Sequence, residues 1–183
     1  MRQLADEARI LAFVKALGRA AREPGRLYLT GGATAVLEGW RGSTIDVDIR
    51  LEPDSDALLR HIHALKERLS INVELASPAD FIPELPGWRD RSPFIRREGR
   101  LDVHHFDPYS QALSKLERAF DQDLEDVRAM LDRGLIEAAT ALELFARIEP
   151  ELYRYPAIDP RSFRERVERA LSSHPGGRGF ESP

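Results

Sequence analysis

The sequence predicts an α+β fold with a small mixed sheet flanked by helices and a C-terminal helical region. Helical spacing and strand alternation follow one another over the first hundred residues, and a hairpin pattern follows at 94–106. From Tyr109 onward only helical periodicity remains. We therefore expect an α/β core over 1–108, a helical region over 109–171 and a disordered tail over 172–183, which is rich in Gly, Ser and Pro.

The first elements follow from their periodicity and from the residues that end them. Apolar residues recur every three or four positions in the first helix, which ends at Pro24-Gly25. Asp54 or Ser55 can cap the third helix. The predicted elements are helix 3–22, strand 26–30, helix 33–38, strand 44–51, a helix from the cap to about residue 69, strand 71–76, and strands 94–98 and 100–106 joined at Glu98-Gly99.

The last third of the chain is helical. An apolar stripe predicts one helical stretch, interrupted by Gly134, and its members are Leu113, Leu116, Phe120, Leu124, Val127 and Leu131. A further helix spans about 136–148. Asp159-Pro160 begins the last helix with a capping side chain and a proline in the first turn.

Composition excludes several classes of function. Net charge is −4, so the chain as a whole lacks the basic character of a nucleic-acid-binding protein. There is no cysteine, which excludes disulfides and thiolate metal sites. The N-terminus is unlike a signal peptide, and no apolar run approaches the ~18 residues that span a membrane. We expect a cytoplasmic protein that does not contact membranes.

One local basic cluster stands out against this composition. It comprises Arg89, Arg91, Arg96, Arg97 and Arg100. The cluster could form a patch for RNA, or it could be the solvated surface of the predicted hairpin.

The strand predicted at 44–51 carries two aspartates on one face. Ile45, Val47, Ile49 and Leu51 alternate with Thr44, Asp46, Asp48 and Arg50. Asp46 and Asp48 therefore share the polar face, with Cα atoms roughly 6.5–7 Å apart. Two carboxylates at this separation can converge on a divalent cation.

Three neighbouring features strengthen this interpretation. Gly31-Gly32 allows a close backbone approach to an anion and opens a helix whose N-terminus favours phosphate. Ser43 and Thr44 supply hydroxyls beside the aspartates. Glu74 is a third carboxylate, on a strand where Ile71, Val73 and Leu75 alternate with Asn72 and Glu74. The alternative is that the Asp-x-Asp pair is only a solvated strand end.

These residues resemble the signature of the nucleotidyltransferase (polymerase beta-like) superfamily. The resemblance rests on Gly31-Gly32, thirteen intervening residues, Asp46-Val47-Asp48 and a later acidic strand residue. A downstream segment, Lys115, Arg118 and Asp123-Leu-Glu-Asp126-Val, is similar to that of the type IV abortive-infection nucleotidyltransferase toxins and their uncharacterised bacterial relatives. The resemblance covers about residues 27–131.

The resemblance implies a role for each residue that carries it. Asp46 and Asp48 would bind Mg²⁺. Glu74 would complete the acidic triad, where many members have aspartate, and would either hold a second metal ion or accept the proton of the hydroxyl. Gly31, Gly32 and Ser43 would line the triphosphate, with Thr44 as a further nucleotide-binding candidate. Lys115 would contact the phosphates, and Asp123 or Asp126 would lie near the substrate.

The downstream segment also has simpler explanations. Lys115 could be a surface lysine on an amphipathic helix. Lys115 and Asp126 would lie about 16 Å apart along one uninterrupted helix, so both can reach one ligand only if the helix breaks near 121–123. Asp123 as an N-cap would produce that break.

The resulting hypothesis is a Mg²⁺-dependent nucleotidyltransferase that transfers NMP from an NTP to a hydroxyl of RNA, protein or a small molecule. The toxin-like resemblance implies a toxin–antitoxin or phage-defence role, with a cognate antitoxin protein as partner. The alternative is a catalytically silent protein of the same fold that binds or regulates a partner. No Gly-x-Ser-x-Gly motif supports a hydrolase.

Overall fold

A computed structural model describes residues 3–174, which form two compact units. The first unit comprises 3–77 and 89–106, and the second comprises 78–88 and 107–174. The predicted tail lies outside the described residues from 175 onward, while Ser172 ends the last helix.

The first unit is a five-stranded mixed sheet with three helices, counted over the described residues. Its elements are α1 (Glu7–Ala20), β1 (Gly25–Thr30), α2 (Gly32–Leu37), β2 (Asp46–Glu52), α3 (Asp56–Leu69), β3 (Asn72–Leu75), β4 (Phe94–Glu98) and β5 (Leu101–His105). The strand order is β3-β2-β1-β5-β4. Pairs β1–β5 and β2–β3 are parallel, whereas β1–β2 and β4–β5 are antiparallel. The predicted α+β class with a mixed sheet is confirmed.

One face of this sheet is apolar and packs with α1 and α3. Alternate residues of the central strands enter a common core with Phe13 and Leu17 of α1 and Ile62 of α3. The polar residues of the same strands therefore lie on the other face. Side-chain caps fix both helix starts: Asp6 accepts from the Arg9 amide at 3.0 Å, and Ser55 accepts from the Leu58 amide at 3.3 Å.

The second unit contains four helices within the described part of the chain. They are α4 (Pro108–Arg118), α5 (Asp121–Asp132), α6 (Ala138–Ile148) and α7 (Pro160–Ser172), with 3₁₀ turns at Pro78–Asp80 and Glu149–Arg154. The Phe145 and Phe163 rings join α6 to α7 with centroids 5.0 Å apart. Asp159 caps α7 as predicted, since its carboxylate accepts from the Ser162 amide at 3.3 Å.

Three residues expected in apolar stripes are exposed instead. Ile45 lies just before β2 and is exposed. The preceding residue, Thr44, forms a bridge with Ala5 and takes the buried position instead. Leu75 ends the edge strand β3 and is 56% exposed. Phe120 lies between α4 and α5, because Ala119 takes a left-handed conformation with φ 56° and ends α4.

The prediction that no segment spans a membrane can be compared with the helices of the structure. Among the described residues, no helix has the length and apolar character needed to cross a bilayer.

Candidate active site

The three predicted carboxylates lie on one face of two neighbouring strands. Asp46 and Asp48 are two residues apart on β2, so their side chains leave the sheet on the same side. The parallel register of β2 and β3 pairs Asp46 with Asn72 and Asp48 with Glu74. Glu74 therefore shares the polar face of the two aspartates. The aspartates are half-buried, and Glu74 is exposed.

Asn72 links two of these carboxylates. Its side-chain amide donates to Asp46 Oδ1 at 2.5 Å and to Glu74 Oε1 at 2.9 Å. Ionised carboxylates only accept, so the two N–H groups of one amide serve two acids and reduce their repulsion. Alternation along the strand predicted Asn72 on the polar face. No sequence signal indicated that its side-chain amide would bridge two acids.

The Gly31-Gly32 turn meets the carboxylates directly. Gly31 is the N-cap of α2 and has φ 62°, a conformation that favours glycine. A Cβ added at residue 31 would lie 2.9 Å from Asp48 Oδ2. A Cβ at residue 32 would lie 2.0 Å from Thr44 Oγ1. The glycines thus permit the turn to approach both Asp48 and Thr44.

Thr44 lies against the Gly31-Gly32 turn. Its hydroxyl donates to the Asp46 carbonyl at 3.0 Å, and its backbone bonds Ala5 in both directions at 2.8 and 2.9 Å. Thr44 therefore holds the start of β2, which positions Asp46. Ser43 is half-buried one residue earlier. Nucleotide binding by Ser43 and Thr44 stays a prediction.

The carboxylates suit a hard cation that keeps other ligands. Among residues 3–174, no three Asp, Glu or His side chains form a cluster that could hold a metal ion by themselves. Mg²⁺ is commonly bound by one or two carboxylates, with water and substrate phosphates completing its shell. Asp46 and Asp48 match that donor set.

A buried histidine anchors α2 to the sheet. His105 at the end of β5 places Nδ1 3.0 Å from Thr34 Oγ1 and Nε2 3.1 Å from Glu38 Oε1. Burial lowers the pKa of His105 to about 4, because desolvation disfavours the charged imidazolium. His105 is therefore neutral near pH 7. The sequence showed it only as a neighbour of His104, with no sign of a contact to α2.

The predicted downstream residues come together inside the second unit. Lys115 Nζ lies 2.6 Å from Asp126 Oδ2 and 3.4 Å from Asp123 Oδ1, while Arg118 reaches Asp123 Oδ1 at 2.9 Å. The Lys115 side chain is 5% exposed, and that of Asp126 is fully buried. The surface-lysine alternative is therefore wrong. The helix does break, but at Ala119-Phe120, so Asp123 lies in the first turn of α5 and is not its N-cap.

The arginine cluster of the hairpin is largely neutralised by acids. Arg89 contacts Glu52 at 2.7 Å, Arg97 contacts Asp102 at 2.7 Å, and Arg96 lies 3.6 Å from Glu98. The hydrogen bond from Arg89 keeps the pKa of Glu52 below its usual value. These pairs favour the solvated-surface interpretation.

Comparison with known proteins identifies the family. No curated protein and no solved structure matches the chain. A family model described as "nucleotidyltransferase of unknown function (DUF6036)" matches residues 8–167. This range contains every predicted site residue. The chain therefore belongs to this family of nucleotidyltransferases of unknown function.

Proposed function

We propose that the protein is a Mg²⁺-dependent nucleotidyltransferase that transfers an NMP group from an NTP to a hydroxyl acceptor. The observation that carries the proposal is the β2–β3 register, which sets Glu74 opposite Asp48 on the face that also bears Asp46. Membership of a nucleotidyltransferase family supports the same reaction class. The close approach of Gly31 to Asp48 supports a phosphate-binding turn beside the acids.

Asp46 and Asp48 would hold the cation, which supplies charge stabilisation at the transferring phosphate when bound. Gly31 and Gly32 bring backbone close to the triphosphate. Because α2 has only six residues, this contribution comes from local amides more than from a helix dipole. Asn72 holds the Asp46 and Glu74 carboxylates in place.

The proposed step is an in-line displacement. The acceptor oxygen forms a bond to the α-phosphorus, the bond from the α-phosphorus to the bridging oxygen breaks, and pyrophosphate leaves with that electron pair. Glu74, the most exposed of the three acids, accepts the proton of the hydroxyl. In this proposal Asp46 and Asp48 position the cation, and Glu74 takes up the proton.

The finer assignment follows the resemblance of the Lys115–Asp126 segment to the type IV toxins. It supports an RNA or protein acceptor and a role in a toxin–antitoxin pair or in phage defence, with an antitoxin protein as partner. Phosphate binding by Lys115 and substrate contacts of Asp123 or Asp126 stay predictions. In this structure the Lys115 ammonium contacts both carboxylates.

The test uses NTPs labelled at the α-phosphate, Mg²⁺ and a bacterial extract as the source of acceptors. Wild type is compared with Asp48→Asn and with Asp54→Asn, which removes one carboxylate from the exposed turn after β2. We expect labelled product from wild type and Asp54→Asn, and at least ~100-fold less from Asp48→Asn. Equal labelling by all three proteins contradicts the catalytic assignment. A stable complex with a partner and no labelling by wild type would favour the silent binding protein.

A further inference from the structure

Two adjoining hollows lie along α1 and α3 in the first unit, apart from the carboxylates. The larger, of about 530 Å³, extends from the end of α1 to the end of β2, and the smaller, of about 350 Å³, lies between the two helices. Ala20 and His61 line both, so the two hollows form one groove. We call it the α1–α3 groove.

The sequence explains why a groove forms here. Small residues face one another on the two helices, with Ala16 and Ala20 on α1 and Ala64 on α3. Their methyl groups leave space that larger side chains would fill. The floor of the larger hollow is apolar and includes Leu51 and Leu101. The groove is a consequence of alanines at helix-facing positions.

Arg26 lines the groove, and its guanidinium donates to the Tyr28 hydroxyl at 3.4 Å. Four further exposed arginines flank the groove: Arg19, Arg22, Arg60 and Arg68. Among residues 3–174, none of their side chains forms a hydrogen bond or ion pair. The acids that line the groove are Glu23 and Glu52, and Glu52 already accepts from Arg50 and Arg89. The groove is thus a local concentration of unneutralised positive charge in a chain of net charge −4.

This charge differs from that of the hairpin arginines. Arg89, Arg96 and Arg97 each have an acidic partner, whereas the groove arginines have none in the described part of the chain. Unpaired guanidinium groups that line one concave surface are suited to phosphates, which they bind through two parallel hydrogen bonds.

We propose that the α1–α3 groove binds the phosphodiester backbone of a nucleic acid. Arg60 and Arg68 lie on one side of α3, about 12 Å apart along its axis. That distance spans several phosphates at ~3.4 Å per phosphate along one strand of a duplex. Apart from the imidazole of His61, no aromatic side chain lines either hollow, so the groove offers charge more than base stacking.

The residues that line the groove disfavour two other kinds of partner, a protein surface and a membrane. Protein interfaces depend on large aromatic or apolar anchors at their centre, and the groove presents alanines there. A membrane-binding helix face combines cations with exposed large apolar residues, which are missing among the groove-lining residues of α1 and α3. A nucleic-acid backbone fits the observed surface best.

The test is fluorescence anisotropy of a short labelled RNA, and of DNA of the same sequence, over a series of NaCl concentrations. The groove variant Arg19→Gln/Arg60→Gln/Arg68→Gln is compared with Arg96→Gln/Arg97→Gln/Arg154→Gln, which removes the same charge from ion-paired arginines. Both variants have net charge −7, from −4 less three. Circular dichroism verifies that both fold.

We expect wild type and the paired-arginine variant to bind with similar affinity. The groove variant should bind at least ~10-fold more weakly at low salt, and its slope of log K against log salt should be smaller by about 2. The single variants Arg60→Gln and Arg68→Gln should each reduce the slope by ~0.7. Comparison of RNA with DNA shows which backbone the groove prefers.

Several results would overturn the proposal. They are equal binding by the groove variant and wild type, an equal loss in the paired-arginine variant, and competition by polyglutamate as effective as that by unlabelled RNA. The assay contains no NTP and no Mg²⁺. Its outcome is therefore independent of whether the chain transfers nucleotides.

Discussion

At the scale of single residues, the close approach of Gly31 to Asp48 links the proposed phosphate-binding turn to the acids. Gly31 has φ 62°, and the position of its missing Cβ is 2.9 Å from Asp48 Oδ2. Any side chain there must displace the carboxylate, because the end of a side chain moves more easily than the backbone. The geometry of the turn and the position of Asp48 are therefore coupled.

Gly31→Ala tests this coupling. We expect a loss of roughly 1–2 kcal/mol in unfolding free energy from left-handed strain, and at least ~10-fold less nucleotide transfer from the displaced carboxylate. Gly39→Ala is the control, since Gly39 also has positive φ but has no atom within 4 Å of its Cβ position. Denaturant unfolding and the labelling assay measure the two effects. Similar activity of the two variants would disprove the coupling.

Asn72 is the second residue with a specific expectation. Asn72→Ala removes the donor shared by Asp46 and Glu74, so the two acids lose their orientation. We expect roughly 10–100-fold weaker activity or Mg²⁺ affinity, as for other residues that orient metal ligands. Leu75→Ala, at an exposed position of the same strand, should have little effect. Full activity of Asn72→Ala would show that its bonds are incidental.

At the scale of elements, the ion network of Lys115 joins α4 to α5. Removal of the ammonium would leave the buried Asp126 carboxylate without its 2.6 Å partner. Removal of one partner of a buried ion pair is far more costly than loss of an exposed pair. The network therefore fixes how these two helices pack.

Lys115→Met should lower the unfolding free energy by roughly 3–5 kcal/mol in urea denaturation. Lys15→Met, on the exposed face of α1, is the matched control and should change it little. Addition of Asp126→Leu to Lys115→Met should recover part of the loss, because the buried carboxylate that lost its ammonium partner is then removed. An unchanged stability of Lys115→Met would mean that the pair contributes nothing to folding.

Local signals predicted most elements correctly. The Ser55 and Asp159 caps and the hairpin at Glu98-Gly99 depend on neighbouring residues, and each is confirmed. The failures depend on distant contacts. Thr44 is buried because it pairs with Ala5, nearly forty positions earlier, and periodicity alone assigned the buried position to Ile45.

The candidate site shows the same difference between features set by neighbouring residues and features set by distant contacts. Alternation along β2 placed Asp46 and Asp48 on one face, and alternation along β3 placed Asn72 with Glu74. The register that aligns the two strands is a tertiary property that alternation does not contain. The His105 contact with α2 was likewise invisible, since it joins residues 71 positions apart.

At the scale of the whole molecule, buried His105 predicts acid sensitivity. Its pKa is lowered from 6.5 to about 4, so between these values the unfolded chain binds more protons than the folded chain. The stabilisation is complete above pH 6.5 and is lost as the pH falls towards 4, with a total of about 3 kcal/mol. His105→Gln does not titrate there. We expect a flatter pH dependence of its unfolding free energy, and parallel curves would contradict this explanation.

The central claim is that the face bearing Asp46, Asp48 and Glu74 binds the metal and the nucleotide. A crystal structure with Mg²⁺ and a non-hydrolysable NTP tests it most directly. We expect carboxylate oxygens of Asp46 and Asp48 at about 2.0–2.1 Å from the metal, with the triphosphate beside Gly31 and Gly32. A metal or nucleotide bound elsewhere, with this face empty, would contradict the account.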